Sequence, residues 1–337
     1  MGLLGTAVYL AGWLLPIGER FPRIVIALLP VVLLVLLVIE GRRGRPPKFG
    51  VMHLRLPKSN VGRLALLGIL IAAALAFTGV VTPSTALDWD TLAYHLAVPK
   101  IWLAEGHIAP VSFIHHSRFP AAADSLFLLG LSFGGANGGG EIAAKGFMFA
   151  AYVFGIFAIF GLARQRYGAA AGWLGALAFA AVPMVMWEAG SAYIDLIHGL
   201  YAGLGLWLLA DDSEERAHPV VAALLIGLAL GTKYTGLQAF GVALVLTFLG
   251  ARRKETLKFA AVALGLGAFW YVKNWVQAGN PVYPFYYSVF GGVNWNEFAA
   301  RIYAEEQATF GIGKGPGAIL GLVAVPGRFT NPGPLTG

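Results

Sequence analysis

Long stretches without a charged residue alternate with short polar segments along this chain. The uncharged runs are Met1–Gly18, Ile24–Ile39, Leu64–Leu87, Gly146–Ala163, Tyr167–Trp187, Leu196–Ala210, Pro219–Thr232, Tyr234–Ala251 and Phe259–Val272. A helix needs about 20 apolar residues, range roughly 17–25, to cross a bilayer core. The runs of 14 to 16 residues are short by that measure and span only if Asp195, Lys233 and Lys273 lie at helix edges. The pattern therefore predicts an all-α fold, a polytopic transmembrane helix bundle of about nine spans. Its expected organisation is an N-terminal helical hairpin with a basic loop (1–63), a transmembrane core (64–315) with a large external loop (82–141), and a C-terminal segment (316–337).

Composition supports this class. The chain is 58% hydrophobic and only 12% charged, where soluble domains are about a quarter charged. Its 45 glycines suit close helix packing in lipid. With no cysteine, disulfides and thiolate metal sites are excluded. Met1–Gly18 lacks a basic leading region, so it does not read as a cleaved signal peptide. The net charge of +7 is no nucleic-acid signature, because the Lys and Arg residues lie between spans.

Those cations predict the orientation. Gly41–Arg63 holds seven of them and no acid; Arg164 and Arg166 follow the fourth run, and Arg252, Arg253, Lys254 and Lys258 follow the eighth. Placed in the cytoplasm, these loops let nine spans alternate without conflict. The other face then receives Thr82–Glu141, Glu188–Ala192, the turn at Lys233 and the chain after Lys273.

The externally assigned segments carry the candidate chemistry. Asp88 and Asp90 open LDWDTLAYHLAVPKIWLAEGHI just beyond a hydrophobic span, where an acid points to a working site. Asp90–Glu105 predicts an amphipathic helix in the interface plane, capped or kinked by Pro99. A helix is also expected over Ala121–Leu131. Glu188 and Asp195 are seven residues apart and share a face if their helix is continuous. Asp195 lies in an apolar stretch, as a functional carboxylate or a partner for Lys145. Lys233 stands among Gly231, Thr232 and Thr235, whose backbone and hydroxyl donors suit an oxyanion. Asn274, Asn280 and Tyr283 read first as turn formers and then as sugar ligands. Asp88, Asp90, His95, His115 and His116 are an alternative divalent-metal site, but their spacing matches no zinc signature, so no metal is assigned. GIGKGPG (311–317) lacks the Ser or Thr and the preceding strand of a phosphate loop.

The chain resembles the polytopic glycosyltransferases of the GT-C type, in the bacterial branch related to lipid-A aminoarabinose transferases and protein O-mannosyltransferases. The resemblance is carried by DWDTLAYHLAVPK, FPAAADSLFLLG, EAGSAYIDL, LGTKYTGL and KNWVQAGNPVYPF followed by FGGVNW, over roughly 64–309. In that family an acidic motif in the first large external loop sits at the active site, often as tandem acids; here Trp89 separates them. The resemblance implies a sugar donor carried on a polyprenyl phosphate, a lipid, glycan or protein acceptor, no nucleotide, and a site on the external face of the inner membrane. Such transfer needs a base for the acceptor proton and donors or cations for the leaving phosphate. Asp90 aligns with the family acid and is the expected base, with Asp88 in support. Arg118, Lys233 and Lys273 are the expected phosphate partners. His95, Glu188, Asp195, Tyr234, Asn274, Asn280 and Tyr283 complete the expected substrate site.

Two rivals come from other classes. A transporter predicts related halves and polar groups at mid-membrane, whereas these charges gather at one face and no internal repeat is visible. A lipid-binding scaffold predicts tolerance to loss of Asp90. The terminal NPGPLTG is loop chemistry, and members of the resembled family carry more spans, so a truncated chain is expected.

Overall fold

The computed structural model describes residues 1–18, 21, 25, 56–134, 139–210, 219–250 and 253–309. These residues form helices and connecting loops, with no strand among them. The first helix, α1 (Gly2–Leu14), is followed by α2 (Asn60–Val81), which starts where the Ser59 side chain accepts the Gly62 N–H. A single π-helical turn (Thr91–His95) leads into α3 (Ala97–Glu105). Next come α4 (Asp124–Gly134), α5 (Gly139–Tyr167), α6 (Ala169–Ala180), α7 (Pro183–Ala189) and α8 (Asp195–Ala210). The series closes with α9 (Pro219–Thr232), α10 (Gly236–Leu249), α11 (Thr256–Ala278), α12 (Tyr287–Phe290) and α13 (Glu297–Ala308).

Three stretches are long and apolar enough to cross a membrane: Asn60–Val81, Gly139–Tyr167 and Arg253–Ala278. A fourth is formed if α6 and α7, bent by 69° at their junction, act as one broken span. Pro183 explains the bend, because it disfavours helix at Val182 and lacks an N–H for the preceding turn. Of the five shorter apolar helices, α1, α8, α9 and α10 account for other predicted runs, and α4 overlaps the helix expected over Ala121–Leu131. A 14-residue helix such as α9 is about 21 Å long, less than a bilayer core of about 30 Å. Apart from Val25, the run Ile24–Ile39 lies outside the described residues, as do most of the seven-cation loop and residues 310–337.

Small residues set the packing. A Cβ on Gly5 would meet the Ala122 carbonyl, and one on Gly130 would lie 2.5 Å from the Ala144 Cα, so α1 and α5 pack directly on the segment around α4. Tyr152 donates to the Ala180 carbonyl at 2.8 Å and ties α5 to α6. The helices alternate in direction, so the ends of α2, α7, α9 and α11 meet the starts of α5, α8 and α10. Arg164, Arg166, Arg253, Lys254 and Lys258 occupy helix termini at the opposite end.

One expectation for the 82–141 loop is corrected. Asp90–Glu105 is not one helix: the chain makes the π-turn before α3 begins. Its second part is packed into the protein, with Val98 and Trp102 buried against α1 and α11 in one apolar cluster. Trp102 Nε1 donates to the Ala109 carbonyl, closing the loop on itself.

Candidate functional site

The π-turn widens the helix at the point where four polar side chains gather. Asp90 precedes it, is half-buried, and its N–H donates to the Tyr193 hydroxyl at 3.1 Å. Its carboxylate makes no capping bond and instead accepts from the Tyr94 hydroxyl. Burial first, then the charges of Asp90, Asp124 and Asp195, push the Tyr94 phenol far above its ordinary range. Burial likewise raises Tyr193 to about 12, with Asp90, Asp88 and Asp195 adding to the shift. These carboxylates therefore surround two tyrosine hydroxyls that stay protonated as donors.

Beneath this group, His95 Nδ1 lies 2.6 Å from Asp124 Oδ1, and the histidine is only 2% exposed. A carboxylate on Nδ1 fixes the ring's orientation and tautomer. The apolar pattern assigned Asp124 to a helix interior, so its role was not visible; the structure makes it the first residue of α4. Asp88 is tied locally, its Oδ2 accepting the Thr85 N–H at 2.9 Å.

Across the cleft, Lys233 Nζ pairs with Asp195 Oδ1 at 2.5 Å, both side chains partly exposed. Glu188 and Asp195 are brought near each other, though not by a continuous helix: α7 ends at Ala189, and Asp195 starts α8. Lys145 does not serve Asp195. It bonds the Thr82 carbonyl and pairs with Glu141 at 3.3 Å. The donors expected around Lys233 are engaged as well: Thr232 Oγ1 donates to the Leu228 carbonyl, and Thr235 Oγ1 lies 2.9 Å from His198 Nε2.

The other cations are deeper than expected. Lys273 is 6% exposed and donates to the Arg118 and Phe119 carbonyls at 3.1 and 3.4 Å, over the rings of Tyr9 and Trp270. It is a latch that holds the 118–119 segment on α11 rather than an outward cation. Arg118 is 7% exposed, hydrogen-bonds the Tyr283 hydroxyl and lies 5.4 Å from that ring's centroid. Its Nη1 is buried without an acceptor among the described residues. Burial pulls the guanidinium below its usual range, opposed by Tyr283.

Asn280 is a turn former: its Nδ2 serves the Phe285 and Gly291 carbonyls, and its Oδ1 accepts the Val282 N–H. Tyr283 donates to the Val293 carbonyl, and Asn274 Nδ2 donates to the Tyr234 hydroxyl, which itself donates to the Tyr283 carbonyl. These four residues shape the 280–293 turn.

An aromatic wall closes the site. His116 stacks on Tyr94 with centroids 4.0 Å apart, His115 lies against His116, Trp295 and Tyr303, and α13 supplies Tyr303. Burial lowers His115 to about 4 and His116 to about 3, the latter helped by the neighbouring histidines, so both are neutral near pH 7. No group of three or more His, Asp or Glu able to hold a metal occurs among the described residues.

An apolar groove of about 540 Å³ leads away from this cluster between α5, α6–α7 and α8. Leu162, Phe179, Leu200 and Trp207 are among its walls, and Glu188 and Asp195 stand at its polar end. A charged head and an apolar tail of one molecule fit such an arrangement.

No curated protein sequence and no solved structure matches the chain. One family profile, described as a domain of unknown function (DUF8201), matches residues 132–315. The match takes in more than half of the chain, from the end of α4 through α13 and including the groove, Glu188, Asp195 and Lys233, and the chain belongs to that family.

Proposed function

We propose that the protein is a multi-pass inner-membrane glycosyltransferase that takes a sugar from a polyprenyl phosphate at the external face. The observation that carries this reading is the apolar groove whose polar end holds Glu188, Asp195 and the Lys233 partner of Asp195. A polyprenyl chain matches the groove, and Lys233 is the cation available at its head. Arg118, with a buried guanidinium N–H unanswered by the protein, is a second oxyanion donor.

In the reaction, the acceptor oxygen forms a bond to the anomeric carbon. The bond from that carbon to the phosphate oxygen breaks, and the phosphate leaves on its polyprenyl chain. The acceptor proton passes to Asp90, the half-buried carboxylate whose N–H bonds Tyr193, a phenol that also feels Asp195 at the groove's polar end. Tyr94 and Tyr193 hold Asp90 in place, and the His95–Asp124 pair fixes the π-turn below it. The shorter apolar helices complete the bundle in this reading. The cations at the far end of the helices support an external site, because such residues favour the cytoplasm.

The test is equilibrium binding of a polyprenyl phosphate to purified protein. Gly203 lines the groove, is exposed, and has open space where a Cβ would go. Gly203→Trp should therefore block the groove while the fold persists, and binding should fall at least tenfold. Unchanged binding would remove the groove from the account.

A further inference from the structure

A second groove lies on the other side of α7. It has a volume of about 410 Å³ and runs between α2, α7 and the loop from Thr82 to Asp88. The short helix α7 is the partition: Val185 and Glu188 face the first groove, while Met186, Trp187 and Gly190 face the second. Spacings of three and four residues put these sets on different sides of one helix.

We propose that this second groove holds the apolar part of a lipid acceptor whose hydroxyl-bearing head lies at Asp88. The inference rests on the glycosyltransferase reading and narrows its acceptor to a membrane lipid. Three observations support it. The groove's apolar end is formed by Leu75 and Ala76 of α2, a helix of membrane-crossing length, and Leu75 is 57% exposed there, so bilayer hydrocarbon is the medium beside it. Its other end is polar, with Thr82, Thr85, Ser191 and Asp88. A soluble glycan or a polar peptide has nothing to set against the apolar walls.

Close backbone approach makes the floor. A Cβ on Gly79 would sit 2.9 Å from the Gly190 Cα, so no side chain from either glycine fills the space. Asp88 spends Oδ2 on the Thr85 N–H, while Oδ1 has no donor among the described residues and can accept from a hydroxyl. The two grooves also converge: the Tyr193 ring is tilted against Trp187 with centroids 4.6 Å apart, and its phenol feels the charges of Asp88 in one mouth and Asp195 in the other. A lipid hydroxyl at Asp88 is thereby brought towards Asp90, two residues on and bonded through its N–H to Tyr193.

The experiment uses the full chain in nanodiscs and a diacylglycerol bearing a photoreactive diazirine in one acyl chain. Crosslinks are mapped, with unlabelled diacylglycerol and polyprenyl phosphate as competitors. Labelling is expected at α2 and α7, displaced by diacylglycerol and not by polyprenyl phosphate. Thr78 is an exposed lining residue, so Thr78→Trp should abolish that labelling with polyprenyl-phosphate binding intact. Gly203→Trp should do the reverse. Asp88→Ala should weaken competition by diacylglycerol about tenfold, and competition by its methyl ether much less. Labelling spread evenly over lipid-facing helices, or unaffected by Thr78→Trp, would show boundary lipid only and overturn the proposal. Specific labelling at α2 and α7 with polyprenyl phosphate unbound would uphold the groove as a lipid site and sink the donor reading instead.

Discussion

Lys145 offers a sharp test of how the acidic loop is held. It is 2% exposed, in α5, and joins two elements at once. Its ammonium bonds the carbonyl of Thr82, where α2 ends, and pairs with Glu141 at 3.3 Å, while Glu141 Oε1 accepts the Ser84 N–H at 2.8 Å. The chain then runs directly into Asp88 and Asp90. Lys145→Met keeps the length and apolar stem but strips the carbonyl and the carboxylate of their cation. Breaking a buried pair from one side costs about 3–5 kcal/mol. The Glu141 side chain is 22% exposed and keeps its Ser84 donor, which lowers the expectation to about 2–4 kcal/mol. At about 2 °C per kcal/mol for a chain this long, the melting temperature should fall by about 4–8 °C. Tryptophan fluorescence during heating in one detergent reads it. Glu141→Gln should cost less, and the double variant should cost less than the sum of the singles by at least about 1 kcal/mol. Single effects under about 0.5 kcal/mol that simply add would refute the latch.

Further predictions concern orientation, the donor cation and pH. Ser112→Cys, exposed in the loop between α3 and α4, should react with an impermeant maleimide added outside intact cells; reaction only after the membrane is breached would invert the topology. Lys233→Met should barely change stability, because both members of its ion pair with Asp195 are more than a third exposed. It should nevertheless weaken polyprenyl-phosphate binding about tenfold or more, and equal affinities by calorimetry would make Lys233 an anchor only. His115 and His116 are held neutral in the fold, to about 4 and 3 against an ordinary 6.5. An unfolded chain binds those protons first, so their contribution is complete above about pH 6.5 and is lost as pH falls towards 4. Replacing both with Phe should flatten that slope in pH-dependent melting, and an unchanged slope would place the protons elsewhere.

Much of this arrangement was legible in the sequence, and the gaps have physical causes. Most charge-free runs fall on described helices, three of which lie in stretches long and apolar enough to cross a membrane, and several cations lie at the helix ends away from Asp90. Asp88, Asp90, Asp195 and Lys233 do assemble at one end. Asp124 is not visible as a site residue because it falls inside the expected helix Ala121–Leu131, and only the fold brings His95, 29 residues earlier in sequence, against it. Lys273 differs for another reason: a lysine at the end of an apolar run looks like an interfacial cation, yet the backbone carbonyls at 118 and 119 draw it inward. The break between Glu188 and Asp195 was equally hidden, since their seven-residue spacing fits a helix that the chain does not make. No pattern of polarity along the chain reveals grooves, which depend on which small residues from distant helices touch.

The account stands or falls on Asp90. Purified protein, a polyprenyl-phosphate sugar labelled in the sugar, and a diacylglycerol acceptor allow product to be counted directly. Asp90→Asn keeps the size and can still accept from Tyr94 but is a far weaker base, and general-base catalysis is worth about 10²–10⁴-fold. The account predicts that Asp90→Asn loses turnover by that order while it still binds donor, and that Asp88→Asn loses less. Wild-type turnover in Asp90→Asn would contradict it.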